Sequence, residues 1–265
     1  MDFKSLIPKI CVLLLLAVFV FSVVTVIASK KNLSTMENEN KEIAEQYTEI
    51  VSGNENTDDL NEDIIPKEVT PIKVDFAALR EANSDVVGWI YCEDTPINYP
   101  VMQTDDNSYY LKHTFENTYS DAGSIFVDSR NREEFIDGNT IIYGHHMPDG
   151  TMFTALEKWN SQDFYEKHKS LYLLTPNGDY RIDIVAGYFT SSRSKTYKII
   201  YDTGEQVSNY LDSIKGESAF VSDVPFDQNG HYVLLSTCSH AFENARYVLH
   251  GLLVELDSAG GEPKL

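Results

Sequence analysis

Short apolar runs separated by turn residues fill residues 72–257, and this pattern constrains the fold more than any other feature. Runs such as HYVLLSTC and RYVLHGLLVEL have the length and the branched and aromatic content of β-strands. LYLLTPNGDYRIDIVAGYFT reads as a hairpin with Asn177 and Gly178 at its turn. Three helical segments are inserted: VDFAALRE with Asp75 as its possible N-cap, MFTALEKW with helical spacing, and the amphipathic EQVSNYLDSI. The pattern predicts a mainly β domain, either a barrel or a sandwich.

A different pattern occupies residues 10–28, which form an apolar stretch of 19 residues without a charge. A helix of that length nearly crosses a hydrocarbon core of about 30 Å. The alternative is a cleaved signal peptide, but its apolar region would be shorter, and Ser29-Lys30-Lys31 makes a weak cleavage site. We therefore expect residues 1–31 to be an uncleaved signal anchor with a single transmembrane helix.

Residues 32–71 are polar and acidic, which is typical of a solvated linker. We expect this linker and the β domain to lie outside the cell, and residues 258–265 to form a flexible tail. The formal net charge of the chain is −20. Nucleic acid recruits lysine and arginine, so nucleic-acid binding is not expected.

The chain has three cysteines, of which Cys11 lies in the apolar stretch. A bridge between Cys92 and Cys238 is arithmetically possible, but two cysteines do not indicate a disulfide framework. Cys238 ends one strand-like run and Arg246 opens the next. If these strands pair antiparallel, the two side chains meet at one rim of the sheet.

A cation beside a cysteine favours the nucleophilic thiolate, and an arginine can also donate hydrogen bonds to an oxyanion. The alternative is that Cys238 is a small buried apolar residue and Arg246 is a solvated cation. A proton-transfer group is also required, and His145 and His146 at the end of NTIIYGHH are the candidates. The residues alone do not separate these two histidines. Cys238 and His240 have the close spacing of metal ligands, but a structural zinc site usually requires four ligands, so no metal is expected.

These residues resemble the sortases, and class B sortases in particular. Leu235-Ser236-Thr237-Cys238 matches the Leu-x-Thr-Cys signature of the family, and Arg246 falls where its arginine belongs. Tyr143-Gly144-His145 matches the segment that carries its histidine. Residues 85–90, 97–101, 123–126 and the helix over 205–214 are also similar, so the resemblance covers about residues 75–257.

The resemblance implies an eight-stranded β-barrel with inserted helices, and a cysteine transpeptidase at the surface of a Gram-positive cell. It implies that Cys238 attacks the threonine carbonyl of a C-terminal sorting signal, of an Asn-Pro-x-Thr or Pro-x-Thr-Gly type. His145, chosen over His146 by the resemblance, would transfer the protons, and Arg246 would hold the substrate carbonyl or the oxyanion. The acceptor would be an amine of a peptidoglycan precursor or cross-bridge, and no cofactor is implied.

Four further residues are candidates for contact with the sorting signal: Ser236, Thr237, Ser222 and Tyr201. For each of them, ordinary packing is the alternative. Two other functions use the same features. A membrane-anchored cysteine protease would use water as its acceptor, although the order of His145 before Cys238 excludes a papain arrangement. A non-enzymatic surface binding module would keep Cys238 in its core.

Overall fold

The computed structural model describes residues 3–51 and 70–256. The described part contains four α-helices: α1 (Phe3–Tyr47), α2 (Phe76–Ala82), α3 (Gln162–Lys167) and α4 (Glu205–Ile214). Two 3₁₀ segments cover Tyr109–Leu111 and Phe153–Asn160. The ten strands are β1 (Thr48–Ile50), β2 (Ile72–Val74), β3 (Val86–Tyr91), β4 (Asn98–Met102), β5 (Ile125–Val127), β6 (Asn139–Tyr143), β7 (Ser170–Thr175), β8 (Gly178–Ser191), β9 (His231–Cys238) and β10 (Ala245–Leu256).

Eight of these strands close into a barrel in the order β10-β8-β7-β3-β4-β5-β6-β9, so the predicted eight-stranded β-barrel is confirmed. Most neighbouring strands are antiparallel, but β4 pairs with β5 and β6 pairs with β9 in parallel. The parallel pair β6–β9 matters for function, because the carboxyl ends of both strands reach the same rim of the barrel.

The predicted inserted helices form where their sequences indicate. Asp75 caps α2, since its carboxylate accepts a hydrogen bond from the backbone N–H of Ala78 at 3.0 Å. The buried residues of α4 follow the spacing of one helical face, and they are Val207, Tyr210, Leu211 and Ile214. This face packs into one core cluster with apolar side chains of β8, β9 and β10.

The hairpin between β7 and β8 turns one residue earlier than the sequence predicts. Thr175 pairs with Gly178, so Pro176 and Asn177 form the turn and Gly178 begins β8. The Thr175 hydroxyl explains the shift, because it accepts from the N–H of Gly178 and donates to its carbonyl. Proline at the first turn position also has the required backbone angle already fixed.

The described chain divides into two compact units, Met1–Ile43 and Ala44–Leu265. The first contains most of α1. No helix within residues 3–51 or 70–256 combines the length and the apolar character needed to cross a membrane, so the expected transmembrane helix is not confirmed.

The second unit begins earlier than the expected domain start at residue 72. It includes the end of α1 and also β1, which pairs with β2. The expected linker over residues 32–71 is therefore partly helix and strand, and its remaining residues 52–69 lie outside the described ranges. The expected tail over residues 258–265 also lies outside them.

Candidate active site

Cys238 and Arg246 are direct cross-strand partners at the end of the β9–β10 ladder. The sequence-based prediction that the two residues meet at one rim is therefore confirmed. Residues 232–237 of β9 are buried, whereas Cys238 is exposed where the strand ends. Cys92 contrasts with it, because this second free thiol is buried, and burial raises its pKa to about 12. Cys238 is thus the accessible thiol of the barrel.

His145 reaches the same rim from the neighbouring parallel strand. Tyr143 at the end of β6 is paired with Ser236 of β9. His145 and Cys238 each follow this pair by two residues, so both chains carry their functional group past the same edge. The N–H of Gly144 donates to the carbonyl of Ser236 at 3.0 Å and continues the pairing toward His145.

The position of His145 depends on the glycine before it. A Cβ atom on Gly144 would lie 2.5 Å from Cδ1 of Ile125 and 2.6 Å from Cγ of Phe153. Phe153 in turn donates its backbone N–H to the carbonyl of His145 at 3.0 Å. Glycine therefore allows the histidine segment to lie directly against the 3₁₀ segment Phe153–Asn160.

One ring nitrogen of His145 has a fixed role. Nε2 lies 2.9 Å from the carbonyl oxygen of Leu111, which can only accept a hydrogen bond. Nε2 therefore carries a proton in either charge state, and Nδ1 is the nitrogen that gains and loses one.

Burial lowers the pKa of His145 below its usual value, and the nearby cation of Lys112 lowers it further. The Leu111 hydrogen bond and the carboxylate of Asp121 oppose these effects only in part. At neutral pH the neutral ring is consequently favoured, in which Nδ1 can accept a proton.

An open pocket of about 220 Å³ joins these groups. Its lining residues are Asn107, Leu111, Phe126, Tyr143, Gly144, His145, Ser236, Thr237, Cys238 and Arg246. The guanidinium of Arg246 donates to the carbonyl of Ala245 at 2.9 Å, which fixes the side chain along its own strand. A nucleophile, a proton carrier and a permanent cation therefore face one pocket, an arrangement suited to acyl transfer.

Two of the four predicted contact residues lie at this pocket. The hydroxyl of Ser236 is 2.8 Å from that of Tyr197. Thr237 also lines the pocket, although strand alternation directs its buried side chain to the opposite face of the sheet from Ser236 and Cys238.

Ser222 and Tyr201 do not line this pocket, and their contact with the sorting signal stays a prediction. Ser222 lines a separate cavity beside Phe220, and its hydroxyl donates to the carbonyl of Ile184. Tyr201 is about half exposed, and its carbonyl accepts a hydrogen bond from Arg132. Tyr201 precedes α4 and Ser222 follows it in the sequence, but neither segment lies at the end of β9, where Cys238 is exposed.

Sequence reasoning assigned no functional role to Asn107, Leu111, Phe126, Tyr143 and Tyr197. Tyr143 stood inside the matched histidine segment, and its place beside a proposed catalytic residue was a usable signal. Asn107 and Leu111 lie in the connection between β4 and β5, where no periodicity indicates their position.

Comparison with known proteins agrees with this geometry. A family model for the sortase domain matches residues 90–254. Sortase B of Listeria monocytogenes is 33% identical over 257 residues, which covers 96% of this chain and 99% of the relative. A Staphylococcus aureus sortase B–substrate complex is similar with a TM-score of 0.65 and 35% identity, covering 69% of this chain and 85% of that one. A sortase B complexed with triglycine has the same score and identity, with coverages of 69% and 86%.

Proposed function

Because the chain belongs to the sortase family, and within it to class B, we propose that this cysteine transpeptidase cleaves a C-terminal sorting signal after threonine and transfers the new acyl end to a peptidoglycan amine. The observation that carries the residue roles is the direct pairing of Cys238 with Arg246 beside the His145 segment. The structures of related sortase B enzymes with a substrate and with triglycine support a peptide donor and an amine acceptor.

In the first half-reaction, Nδ1 of the neutral His145 ring takes the proton of the Cys238 thiol, and Sγ of the resulting thiolate attacks the threonine carbonyl carbon. Arg246 donates hydrogen bonds to the oxygen as it becomes negative. Nδ1 of protonated His145 gives its proton to the amide nitrogen, the C–N bond breaks, and a thioester remains on Cys238. In the second half-reaction an incoming amine attacks the thioester and loses a proton to Nδ1, which restores the thiolate and the imidazolium.

We also propose that the enzyme acts at the cell surface, with residues 10–28 as its membrane anchor. The support for this anchor is the uncharged apolar stretch in the sequence. The anchor would hold the active site near the outer face of the membrane, where sorting signals and peptidoglycan precursors meet.

Intact mass spectrometry tests the reaction directly. The chain is incubated with peptides of the Asn-Pro-x-Thr and Pro-x-Thr-Gly types, with and without triglycine as an amine acceptor. We expect an acyl adduct on the protein and a triglycine-linked product. Cys238→Ala should lose both, whereas Cys92→Ala, the matched control, should keep both because its thiol is buried away from the pocket.

The same experiment separates the two rival functions. A protease would give only the acid product with every amine tried. A binding module would give no adduct with any of the peptides. The exposure of Cys238 favours the enzymatic alternatives.

A further inference from the structure

Asp128, which follows β5 directly, places a buried carboxylate behind the active-site pocket. Its side chain has no solvent exposure, and it accepts two parallel hydrogen bonds from Arg130, Nε to Oδ1 and Nη2 to Oδ2, both at 2.8 Å. Burial alone would raise the pKa of Asp128, but the hydrogen bonds from Arg130, Asn107 and Tyr143 outweigh it and lower the pKa to about 2. The group is therefore a permanent anion at neutral pH.

The Asp128 carboxylate fixes the hydroxyl of Tyr143, which lines the pocket. Oη of Tyr143 donates to Oδ2 of Asp128 at 2.9 Å. An ionised carboxylate can only accept, so the phenol proton is committed to Asp128 and the phenol oxygen keeps its lone pairs for another partner. Toward the pocket, Tyr143 is thereby an acceptor of hydrogen bonds, such as those from the N–H groups of a bound peptide.

Asn107 is held by the same carboxylate and its neighbour. Its Oδ1 accepts the backbone N–H of Ser129 at 2.7 Å, and its side chain is one of the groups that lower the pKa of Asp128. Two polar pocket-lining side chains, Asn107 and Tyr143, therefore depend on one anion that does not itself line the pocket.

The ring of Tyr143 extends this arrangement toward the nucleophile. It stacks with Tyr197 at 6.5 Å between centroids and 22° between planes. The hydroxyl of Tyr197 lies 2.8 Å from Oγ of Ser236, two residues before Cys238. A displacement of Tyr143 would consequently be transmitted through Tyr197 to Ser236, near the end of β9.

We propose that Asp128 is a positioning residue for peptide binding, which acts through Tyr143 and Asn107 by fixing the hydrogen-bonding direction that each presents to the sorting peptide. The inference rests on the proposed transpeptidase function, since it assumes that the peptide occupies this pocket. Asp128 touches no reacting atom, so its loss should weaken binding more than it slows the chemical step.

The chain offers a matched control in Asp137. This carboxylate is also fully buried, lies in the connection from β5 to β6, and pairs with Arg132 at 2.5 Å. Its carboxylate accepts hydrogen bonds from the side chains of Asn131 and Arg132, neither of which lines the pocket. Loss of its charge should therefore cost stability, as loss of the Asp128 charge does, without altering the pocket wall.

The test is a double-mutant cycle in the full chain, read by steady-state cleavage of a fluorogenic sorting peptide. Asp128→Asn should raise KM about tenfold with kcat within about twofold. Tyr143→Phe should raise KM similarly, and the double variant should raise KM by less than the product of the two single effects, because part of the Asp128 effect passes through Tyr143. Asp137→Asn should keep the wild-type KM.

Additive effects of Asp128→Asn and Tyr143→Phe, or a KM raised equally by Asp137→Asn, would overturn the proposal. If Asp128→Asn does not fold, the cycle is repeated with Arg130→Gln, whose side chain is 57% exposed. An unchanged KM in that variant also overturns it. A wild-type chain that cleaves no peptide refutes the proposed function itself, whereas normal wild-type turnover with an unchanged Asp128→Asn refutes this inference alone.

Discussion

At the scale of single residues, the carbonyl of Leu111 selects which nitrogen of His145 exchanges protons. The charges around the ring then decide at what pH it does so. Lys112 and Asp121 form an ion pair at 2.8 Å and act on His145 in opposite directions. Substitution of one or the other member of the pair should therefore shift the pKa of His145 in opposite directions while the ring itself is unchanged.

We predict that Lys112→Ala raises the pKa of His145, since it removes a cation that disfavours the imidazolium. Asp121→Asn should lower that pKa, since it removes an anion that favours the imidazolium and leaves Lys112 without its partner. NMR titration of the His145 ring in a Cys238→Ala background measures both shifts. Shifts of the same sign in the two variants would contradict this account of the site.

Arg246 is the second residue whose chemistry can be tested by a small change. Arg246→Lys keeps the charge but loses the planar fork of donors, so we expect kcat to fall about 10²-fold, as for the loss of an oxyanion donor. Stopped-flow acylation with a sorting peptide measures this, and thermal unfolding checks the fold. Near-normal acylation would remove Arg246 from the mechanism.

The sequence predicts the positions of those site residues that follow from a local pattern. Cys238 and Arg246 lie at the ends of consecutive strands, so antiparallel pairing alone brings them together. Asn107 and Leu111 could not be found in this way, because tertiary contacts set the course of their connection. One example is the hydrogen bond from the N–H of Ser124 to the carbonyl of Tyr110, at 2.9 Å.

At the scale of the elements, the parallel pair β6–β9 aligns the histidine with the cysteine strand. Sequence predicted both strands but not their pairing, because parallel strands are brought together by contacts between distant parts of the chain. The first pair of this ladder joins Asn139 to Tyr232, which lie far apart in the sequence. Hairpins such as β7–β8 are local, so only the turn position was wrong there.

The alignment of β6 with β9 predicts a strong effect of one added methyl group. Gly144→Ala should force the histidine segment away from Ile125 and Phe153, and the misplaced ring should lower kcat/KM about 10²-fold. Peptide cleavage assays measure the loss. Gly216→Ala is the control, because a Cβ there meets no atom within 4 Å. Equal activity of the two variants would show that the backbone adapts without cost.

At the scale of the whole molecule, the barrel and α4 enclose a histidine that plays no part in the proposed chemistry. His250 of β10 is fully buried, and its Nδ1 lies 2.6 Å from the hydroxyl of Tyr210 on α4. Burial lowers the pKa of His250 to about 3, compared with 6.5 for an ordinary histidine. The folded protein therefore keeps this ring neutral while the unfolded chain protonates it.

The direction in which folding stability changes with pH follows from the protonation of His250 in the folded and the unfolded protein. Between pH 6.5 and about 3 the unfolded chain binds the extra proton, so folding stability falls by about 1.4 kcal/mol per pH unit as the pH decreases. His250→Gln keeps an acceptor for Tyr210 but does not titrate. Urea unfolding at pH 7 and pH 5 should show a smaller loss in the variant, and an equal loss would exclude His250 as a source of acid sensitivity.

The direct pairing of Cys238 with Arg246 has a consequence for engineering. The strand ladder, and not the connection over residues 239–244, holds the two side chains opposite each other. A one-residue slip of register would send one of them to the far face of the sheet. Lengthening the connection would leave the register intact, so a peptide tag or a recognition loop grafted between residues 240 and 243 should stand at the mouth of the pocket without separating the nucleophile from its cation.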